Sequence, residues 1–328
     1  MREPLVSIVT PSYQQAAYLE HTLRSVLGQD YPRLEYIVVD GGSTDGSVAV
    51  LRRYADRLAW WVSEPDEGQA DALRKGFARA RGEILAWLNS DDMYAPGAVA
   101  SAVRALQQNP RAAWAVGDAL SVDAEGRPFH HHRAAAWDLS ALMTLHILPQ
   151  PAVFFRRAAY ERVGGVDPSF RYLMDHHLWL RLARVAGPPV YVPEVWAFAR
   201  YHPQAKNLAE AARFGQEALR LARWLSTDPA YAPEYRRQRR AVWAAAYRFS
   251  ARYLLDGGQP WRALGHYLRA WAWHPPTAAR EVHRMVYAWL AGLGLSALGR
   301  WYVRRKRAAL PPAAARRGWA NVHALWEP

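Results

Sequence analysis

Short apolar runs alternate with amphipathic segments along the first half of the chain. Between the runs, apolar residues recur at helical spacing, as in residues 18–27. Strands that alternate with helices in this way build βαβ units around a largely parallel sheet. The pattern therefore predicts an α/β fold, Rossmann-like, with a mostly parallel sheet flanked by helices. The predicted buried strands cover residues 5–10, 34–40, 58–63 and 84–88.

The pattern changes after residue 206, where long segments rich in Arg, Ala and Trp alternate with Pro and Gly breaks. We expect an α/β domain over 1–205, with halves of about 1–120 and 121–205, and an all-helical extension over 206–328. The tail after Leu310 is expected to be poorly ordered. The helices predicted in the extension cover residues 207–225, 233–255, 260–273, 278–291 and 295–308.

Polar side chains follow three of the predicted strands. Open α/β sheets bind ligands outside the carboxyl ends of their strands, so Thr10–Tyr13, Asp40 and Asn89–Asp92 are expected to meet at one edge. Adjacent carboxylates at a strand end suit a hard divalent ion that also binds substrate phosphates. The alternative for Asp91 and Asp92 is an Asx-rich turn that only leads into a helix.

Composition limits the classes of site and compartment. The 328-residue chain has no cysteine, which excludes disulfides and thiolate metal sites. The amino terminus has no basic region followed by an apolar core, and we expect an unprocessed cytoplasmic protein.

The positive charge is concentrated in the last third of the chain. Residues 201–328 hold 21 of the 42 basic but only 7 of the 29 acidic residues, an excess of 14 positive charges. Tryptophans are interleaved with these arginines, and the uncharged run Met285–Gly299 is shorter than the roughly 20 residues that span a bilayer. We expect the extension to rest on an anionic membrane, the inner face of the plasma membrane. The alternative is a helical bundle with solvated arginines, and no nucleic-acid partner is expected because no such motif accompanies the charge.

Four motifs in order resemble family 2 glycosyltransferases. This resemblance covers about residues 5–120 and implies the GT-A fold of nucleotide-diphospho-sugar transferases. The motifs are Val6-Ser-Ile-Val-Thr-Pro-Ser-Tyr13, Val39-Asp-Gly-Gly-Ser-Thr-Asp-Gly-Ser47, Glu64-Pro-Asp-Glu-Gly-Gln-Ala-Asp-Ala72 with Lys75-Gly76, and Asn89-Ser-Asp-Asp-Met-Tyr94.

The resemblance assigns roles to residues of the first half. It implies that Asn89, Asp91 and Asp92 occupy an Asp-x-Asp-type metal site, where Asn89 replaces the first aspartate of many members. An Asn carbonyl can still act as a ligand, but the site loses one charge. The residues implied to hold the nucleoside are Thr10, Pro11, Tyr13 and Asp40, and those implied to line the nucleotide-sugar pocket are Asp66, Asp71, Lys75, Asn89 and Asp91.

The acceptor half resembles the family at Tyr172–Leu182. An acidic pair is common at this point, and here Met174 replaces its first member, which leaves Asp175 as the candidate general base. His176 and His177 remain alternatives, because their intrinsic pKa suits the task. The family also implies that His202 faces the metal and the diphosphate.

These assignments together predict a metal-dependent, inverting glycosyltransferase. It would use Mn²⁺ or Mg²⁺, a nucleoside-diphosphate sugar and a hydroxyl acceptor, a saccharide or lipid-linked saccharide, in cell-surface polysaccharide or glycolipid synthesis. The alternatives are a catalytically impaired sugar-nucleotide-binding or scaffold protein and a nucleotidyltransferase. A nucleotidyltransferase should have a glycine- and arginine-rich loop after the first strand, where this chain has Pro11-Ser-Tyr-Gln-Gln15.

Overall fold

A computed structural model describes residues 3–202, 210–295 and 312–326. The described residues form two compact units by contact. The first contains the described residues within Met1–Ala136, Leu148–Tyr201 and Leu310–Pro328, and the second those within Trp137–Ile147 and His202–Ala309. This division differs from a single boundary near residue 205. Trp137–Ile147 precedes that boundary but belongs to the second unit, and the described part of Leu310–Pro328 follows it but belongs to the first.

The first unit is built on a mixed sheet that has nine strands within the described residues. The strand order is β3-β2-β1-β4-β8-β6-β9-β5, with β7 paired to β6. The strands are β1 Val6–Ser12, β2 Leu34–Asp40, β3 Trp60–Ser63, β4 Ile84–Trp87, β5 Met93–Tyr94, β6 Trp114–Val122, β7 Pro128–His132, β8 Val153–Arg156 and β9 Val190–Arg200.

Strands β1 to β4 are parallel, as the sequence pattern predicts, and the later strands make the sheet mixed. Every residue of β1 and β4 is buried, because helices cover both faces of the sheet. The helices of this unit are α1 Ala16–Leu27, α2 Ser47–Tyr54, α3 Gln69–Arg79, α4 Ala98–Gln108, α6 Arg157–Arg162, α7 Met174–Ala186 and α13 Pro312–Arg317.

The second unit is helical, as predicted for this part of the sequence. Four of the five predicted helices are found with shifts of a few residues at their ends, and the fifth, over 295–308, lies outside the described residues apart from Leu295. No helix in the described ranges combines the length and apolar character needed to cross a bilayer. The helices are α5 Leu139–Met143, α8 Ala211–Thr227, α9 Ala232–Asp256, α10 Pro260–Trp273, α11 Pro275–Ala279 and α12 Val282–Gly292.

The carboxyl-terminal tail is the main departure from expectation. Residues 312–326 pack on the sheet of the first unit, where Trp319 and Val322 are buried beside Phe198 of β9. The expectation of a poorly ordered tail is therefore wrong for these residues. Tryptophan and valine supply the apolar surface that holds the segment in place.

The contact between α3 and the sheet requires a residue without a side chain. A Cβ atom on Gly76 would lie 2.4 Å from Cγ1 of Val9, which is buried and β-branched. We expect Gly76→Ala to lower the free energy of unfolding by about 1–3 kcal/mol through overpacking, although alanine favours a helix by about 1 kcal/mol.

Gly265 of α10 provides the control, because a Cβ there meets no atom within 4 Å. Gly265→Ala should be neutral or stabilising. Calorimetric unfolding of both variants checks this, and equal shifts in the same direction would contradict the close-packing explanation.

Candidate active site

The parallel register aligns the carboxyl ends of the first strands. Ser12 pairs with Asp40, and Asp40 pairs with Ser63. Strand β4 ends at Trp87, beside β1. The loops that follow these strands therefore lie along one edge, where the sequence placed the predicted site residues.

Asp40 organises the loop that follows β2. Its side chain is fully buried, and its carboxylate accepts hydrogen bonds from the backbone N–H of Ser43 at 2.8 Å, the Ser43 hydroxyl at 2.6 Å and the Ser63 hydroxyl at 2.7 Å. Asp40 thus holds two loops of the edge together. Its predicted contact with a nucleoside stays a prediction.

Of the three other residues predicted to hold the nucleoside, only Tyr13 is exposed. Its side chain is 61% exposed, whereas Thr10 and Pro11 are buried, and the Thr10 hydroxyl is 3.0 Å from the hydroxyl of Tyr36. The next residue, Gln14, has a positive φ of 53° and binds Ser43 through its backbone N–H at 2.8 Å. This uncommon backbone conformation fixes the direction of the loop that carries Tyr13.

The third motif forms the start of α3. Nζ of Lys75 lies 2.9 Å from Oε1 of Glu64 and 3.4 Å from Oδ2 of Asp71, and Glu64 raises the pKa of Lys75. Asp66 is half-buried and accepts from the backbone N–H of Gly68 at 2.8 Å. A Cβ on Gly41 would lie 2.9 Å from Oδ2 of Asp66, so this loop meets the glycine-rich loop.

Asn89 is the centre of an amide network. Its Oδ1 accepts from Nε2 of Gln69 at 2.7 Å, and its Nδ2 donates to Oδ2 of Asp92 and Oε1 of Gln150, both at 3.1 Å. Nε2 of Gln150 in turn donates to the carbonyl of Trp87 at 2.9 Å. Sequence reasoning missed the roles of Gln69 and Gln150, although Gln69 lies within the third motif that resembles the family.

Asp91 and Asp92 have different environments. Asp92 is 5% exposed, and its Oδ1 accepts from the backbone N–H of Arg200 at 2.9 Å. Burial, with Asp91 adjacent, raises the pKa of Asp92 well above its usual range. Asp91 is half-buried, and its carbonyl accepts from Nε of Arg200 at 2.9 Å. The Asp91 carboxylate is therefore the more accessible of the two.

Helix α7 brings Asp175 to the same edge of the sheet. Trp179 stacks on Trp87 at 5.3 Å, near the carboxyl end of β4, while the carbonyl of Gly187 accepts from the indole of Trp114 at 2.9 Å, at the start of β6. Strands β4 and β6 point the same way, because each is antiparallel to β8 between them. The helix therefore runs opposite to these strands, and its first turn lies at their carboxyl edge.

The first turn of α7 presents one acid and two histidines. Asp175 is half-buried and one helical turn before Trp179, on the same helix face. His176 and His177 are both buried; the ring of His177 stacks on Phe170 at 4.1 Å. Asp175 is accordingly better exposed to an incoming acceptor than either histidine.

The predicted metal site would have few protein ligands. Within residues 3–202, 210–295 and 312–326, no three His, Asp or Glu side chains converge enough to hold an ion. A hard ion that takes most of its ligands from phosphates and water can be bound by one or two carboxylates, so the half-buried Asp91 fits this class. His202 is buried and belongs to the second unit, and its predicted metal role stays a prediction.

Comparison with known proteins gives consistent matches. The family model for glycosyl transferase family 2 matches residues 7–167. An uncharacterized glycosyltransferase of Mycobacterium tuberculosis is 35% identical over 193 residues, which cover 56% of this chain and 71% of the relative. The O-antigen biosynthesis protein RfbC of Myxococcus xanthus is 30% identical over 222 residues, 65% of this chain but 17% of RfbC.

A solved structure supports the fold over nearly the whole chain. The mannosyltransferase PcManGT from Pyrobaculum calidifontis, in complex with GDP-Man and Mn²⁺, is 25% identical with a TM-score of 0.58. The match covers 97% of this chain and 88% of that one. The predicted GT-A fold with a helical carboxyl-terminal region is thereby confirmed.

The amide network predicts how a carboxylate at position 89 would behave. Asn89→Asp removes the donor to Asp92 and Gln150 and sets two carboxylates side by side. Without metal, the free energy of unfolding should fall by about 1–3 kcal/mol, and Mn²⁺ should raise the melting temperature more than in the wild type. Asn109→Asp, the same change at the end of α4, should show no such response to Mn²⁺. Equal Mn²⁺ responses in both variants would refute this interpretation of the network.

Proposed function

The chain belongs to glycosyltransferase family 2, and from that premise we propose an inverting, metal-dependent transfer of sugar from a nucleoside-diphosphate sugar to a hydroxyl acceptor. The observation that carries the proposal is the location of two acidic features along one edge of the sheet. The Asp91–Asp92 turn follows β4, and Asp175 lies on the first turn of α7, which packs on the same strand through Trp87 and Trp179.

Asp175 is the general base of the proposed reaction. Its carboxylate takes the proton from the acceptor hydroxyl as that oxygen attacks the anomeric carbon from the side opposite the nucleotide. The bond between the anomeric carbon and the diphosphate oxygen breaks in the same step. Since no bond to the enzyme forms, the anomeric configuration inverts.

The donor lies along the carboxyl edge in this proposal. Tyr13 offers an exposed ring to the nucleobase, and Thr10, Pro11 and Asp40 are the further residues assigned to the nucleoside. The third motif contributes Asp66, Asp71 and the cation of Lys75 to the nucleotide-sugar pocket, and Asn89 borders it.

Asp91 supplies a carboxylate to a divalent ion, Mn²⁺ or Mg²⁺, with Asp92 as the further assigned residue of the same turn. When bound, the ion would neutralise charge that develops on the leaving diphosphate. The M. xanthus relative named for O-antigen biosynthesis supports a role in cell-surface polysaccharide or glycolipid synthesis.

A donor panel tests the function. The protein should release nucleoside diphosphate from at least one of GDP-mannose, UDP-N-acetylglucosamine and other nucleotide sugars, slowly with water and faster with its acceptor, and only with Mn²⁺ or Mg²⁺. Asp175→Asn should retain donor binding while transfer falls by about 10²–10⁴-fold.

His177→Asn is the control for the base. Transfer that survives in Asp175→Asn but is lost in His177→Asn would assign the base to the histidine. No metal-dependent release from any donor would support a sugar-nucleotide-binding protein instead.

The helical unit carries an exposed apolar stripe on α12 and the residue after it. The members recur at spacings of four, three and four residues and are 48–53% exposed: Val282, Val286, Trp289 and Leu293. Trp261 of α10 lies against Gly292 at the end of this helix and is also exposed. A continuous row of exposed apolar side chains on one helix face marks an interaction surface.

We propose that this stripe inserts into the interface of an anionic membrane. The excess of basic residues after residue 200 supports that partner, since each Lys or Arg near such a surface contributes about 1 kcal/mol to binding. The protein would then act on the inner face of the plasma membrane, where a lipid-linked acceptor is within reach.

Liposome sedimentation tests the membrane proposal. Wild-type protein should pellet with anionic but not neutral vesicles at low salt. Trp289→Glu should weaken this binding at least about tenfold, because the tryptophan side chain no longer enters the membrane interface and about 2 kcal/mol of transfer free energy is lost. Val185→Glu, at an exposed apolar residue of the first unit, should bind like the wild type. If Trp289→Glu binds anionic vesicles as well as the wild type does, the stripe is not the membrane contact.

A further inference from the structure

The carboxyl-terminal segment, residues 312–326, is attached to the first unit near the Asp91–Asp92 turn. Val322 donates its backbone N–H to the carbonyl of Gly126 at 2.9 Å, and the ring of Trp319 meets Phe198 edge-on at 5.1 Å. Val322 is fully buried in the same apolar cluster as Met93, which directly follows the turn. Leu325 packs against the same cluster from the other side of His323, so apolar packing fixes the segment both before and after that histidine.

His323 holds the side chain of Arg200. Nη1 of Arg200 lies 2.6 Å from Nε2 of His323, and since a guanidinium can only donate, the imidazole nitrogen accepts. The ring of His323 stacks on His21 at 4.0 Å. Burial, with His21 and Arg200 nearby, lowers the pKa of His323 to about 4, so the ring is neutral at physiological pH, as this hydrogen bond requires.

Arg200 holds both acidic residues of the turn. Its backbone N–H donates to the Asp92 carboxylate and its Nε donates to the carbonyl of Asp91, each at 2.9 Å. The guanidinium also donates to the carbonyl of Ala124 at 2.9 Å and lies 4.8 Å above the ring of Tyr18. Arg200 is 3% exposed, which leaves its cation committed to the protein rather than to solvent.

We propose that the carboxyl-terminal segment positions the metal-binding turn, and that it does so through the contact from His323 to Arg200. His323 fixes the guanidinium, the guanidinium fixes the backbone of Asp91, and the carboxylate of Asp91 is thereby aimed at the ion and diphosphate. His323 and Arg200 are positioning residues that need not touch the substrate. This inference rests on the proposed function in one respect, the assignment of the ion to Asp91.

Two substitutions at residue 323 separate the hydrogen bond from packing. His323→Phe keeps a ring against His21 but removes the acceptor, whereas His323→Gln offers an amide oxygen to Arg200. In the full-length protein, His323→Phe should raise the Mn²⁺ concentration that gives half-maximal transfer by about 3- to 10-fold. Mn²⁺ should make the wild type bind GDP or UDP more tightly than the nucleoside, and His323→Phe should reduce this difference in affinity by a similar factor. His323→Gln should keep both the Mn²⁺ requirement and the affinity difference close to those of the wild type.

Trp326→Ala is the matched control. Trp326 belongs to the same segment, and its ring packs beside Gly28 at the end of α1. This variant should lower the melting temperature without a change in the Mn²⁺ requirement. The same Mn²⁺ shift in Trp326→Ala and His323→Phe would overturn the proposal, because the loss would then come from the general attachment of the segment.

Hydrogen exchange gives a readout that is independent of the reaction. The backbone N–H of Arg200, which donates to Asp92, should exchange at least about tenfold faster in His323→Phe than in the wild type and in Trp326→Ala. Unchanged exchange at this amide would refute the positioning role, whatever the donor panel shows. If the wild type shows no Mn²⁺ dependence but the Arg200 amide still exchanges faster in His323→Phe, the assignment of the ion to Asp91 is wrong while the positioning role of His323 stands.

Discussion

The parallel register of β1, β2, β3 and β4 is the constraint on which the site depends. It aligns Ser12, Asp40 and Ser63 in one row and leaves four loops at one edge of the sheet. Every residue of β1 and β4 is buried, so a one-residue shift in register would move each side chain into the core on the opposite face and disrupt its close packing. The packing of the core therefore also fixes the position of the loops. The chemistry of those loops is then set by polar contacts between them, of which the three hydrogen bonds to Asp40 are the clearest.

The carboxyl edge of the sheet also buries charged side chains, which lowers the stability of the fold unless their polar atoms find partners. Asp92 and Arg200 are both almost inaccessible, and each would be destabilising alone. The backbone N–H of Arg200 satisfies one carboxylate oxygen of Asp92, and the amide of Asn89 satisfies the other. Asn89 thereby has a structural reason to be neutral, since a third carboxylate beside Asp91 and Asp92 would add repulsion until an ion was bound.

The sequence was informative where local pattern and chemistry coincide. Four apolar runs ended by polar loops were sufficient to predict the parallel strands, and the helical spacing after residue 210 was sufficient to predict α8, α9 and α10. The edge location of Asp91 followed from the end of β4, whereas the role of Asp175 rested on the resemblance to the family. In contrast, the amides of Gln69 and Gln150 are separated by 81 positions of chain, and no local pattern shows that both reach Asn89. The return of residues 312–326 was missed for the same reason, because it depends on a distant apolar surface beside Phe198.

The central claim is that Asp91 presents a divalent ion to the diphosphate at the carboxyl edge of the sheet. A crystal of the protein grown with Mn²⁺ and the nucleoside diphosphate of its donor tests this directly through the anomalous scattering of manganese. The account predicts one anomalous peak within about 2.0–2.3 Å of a carboxylate oxygen of Asp91 and of phosphate oxygens. A peak bound to other side chains, or diphosphate bound at this edge with no manganese beside Asp91, would contradict it.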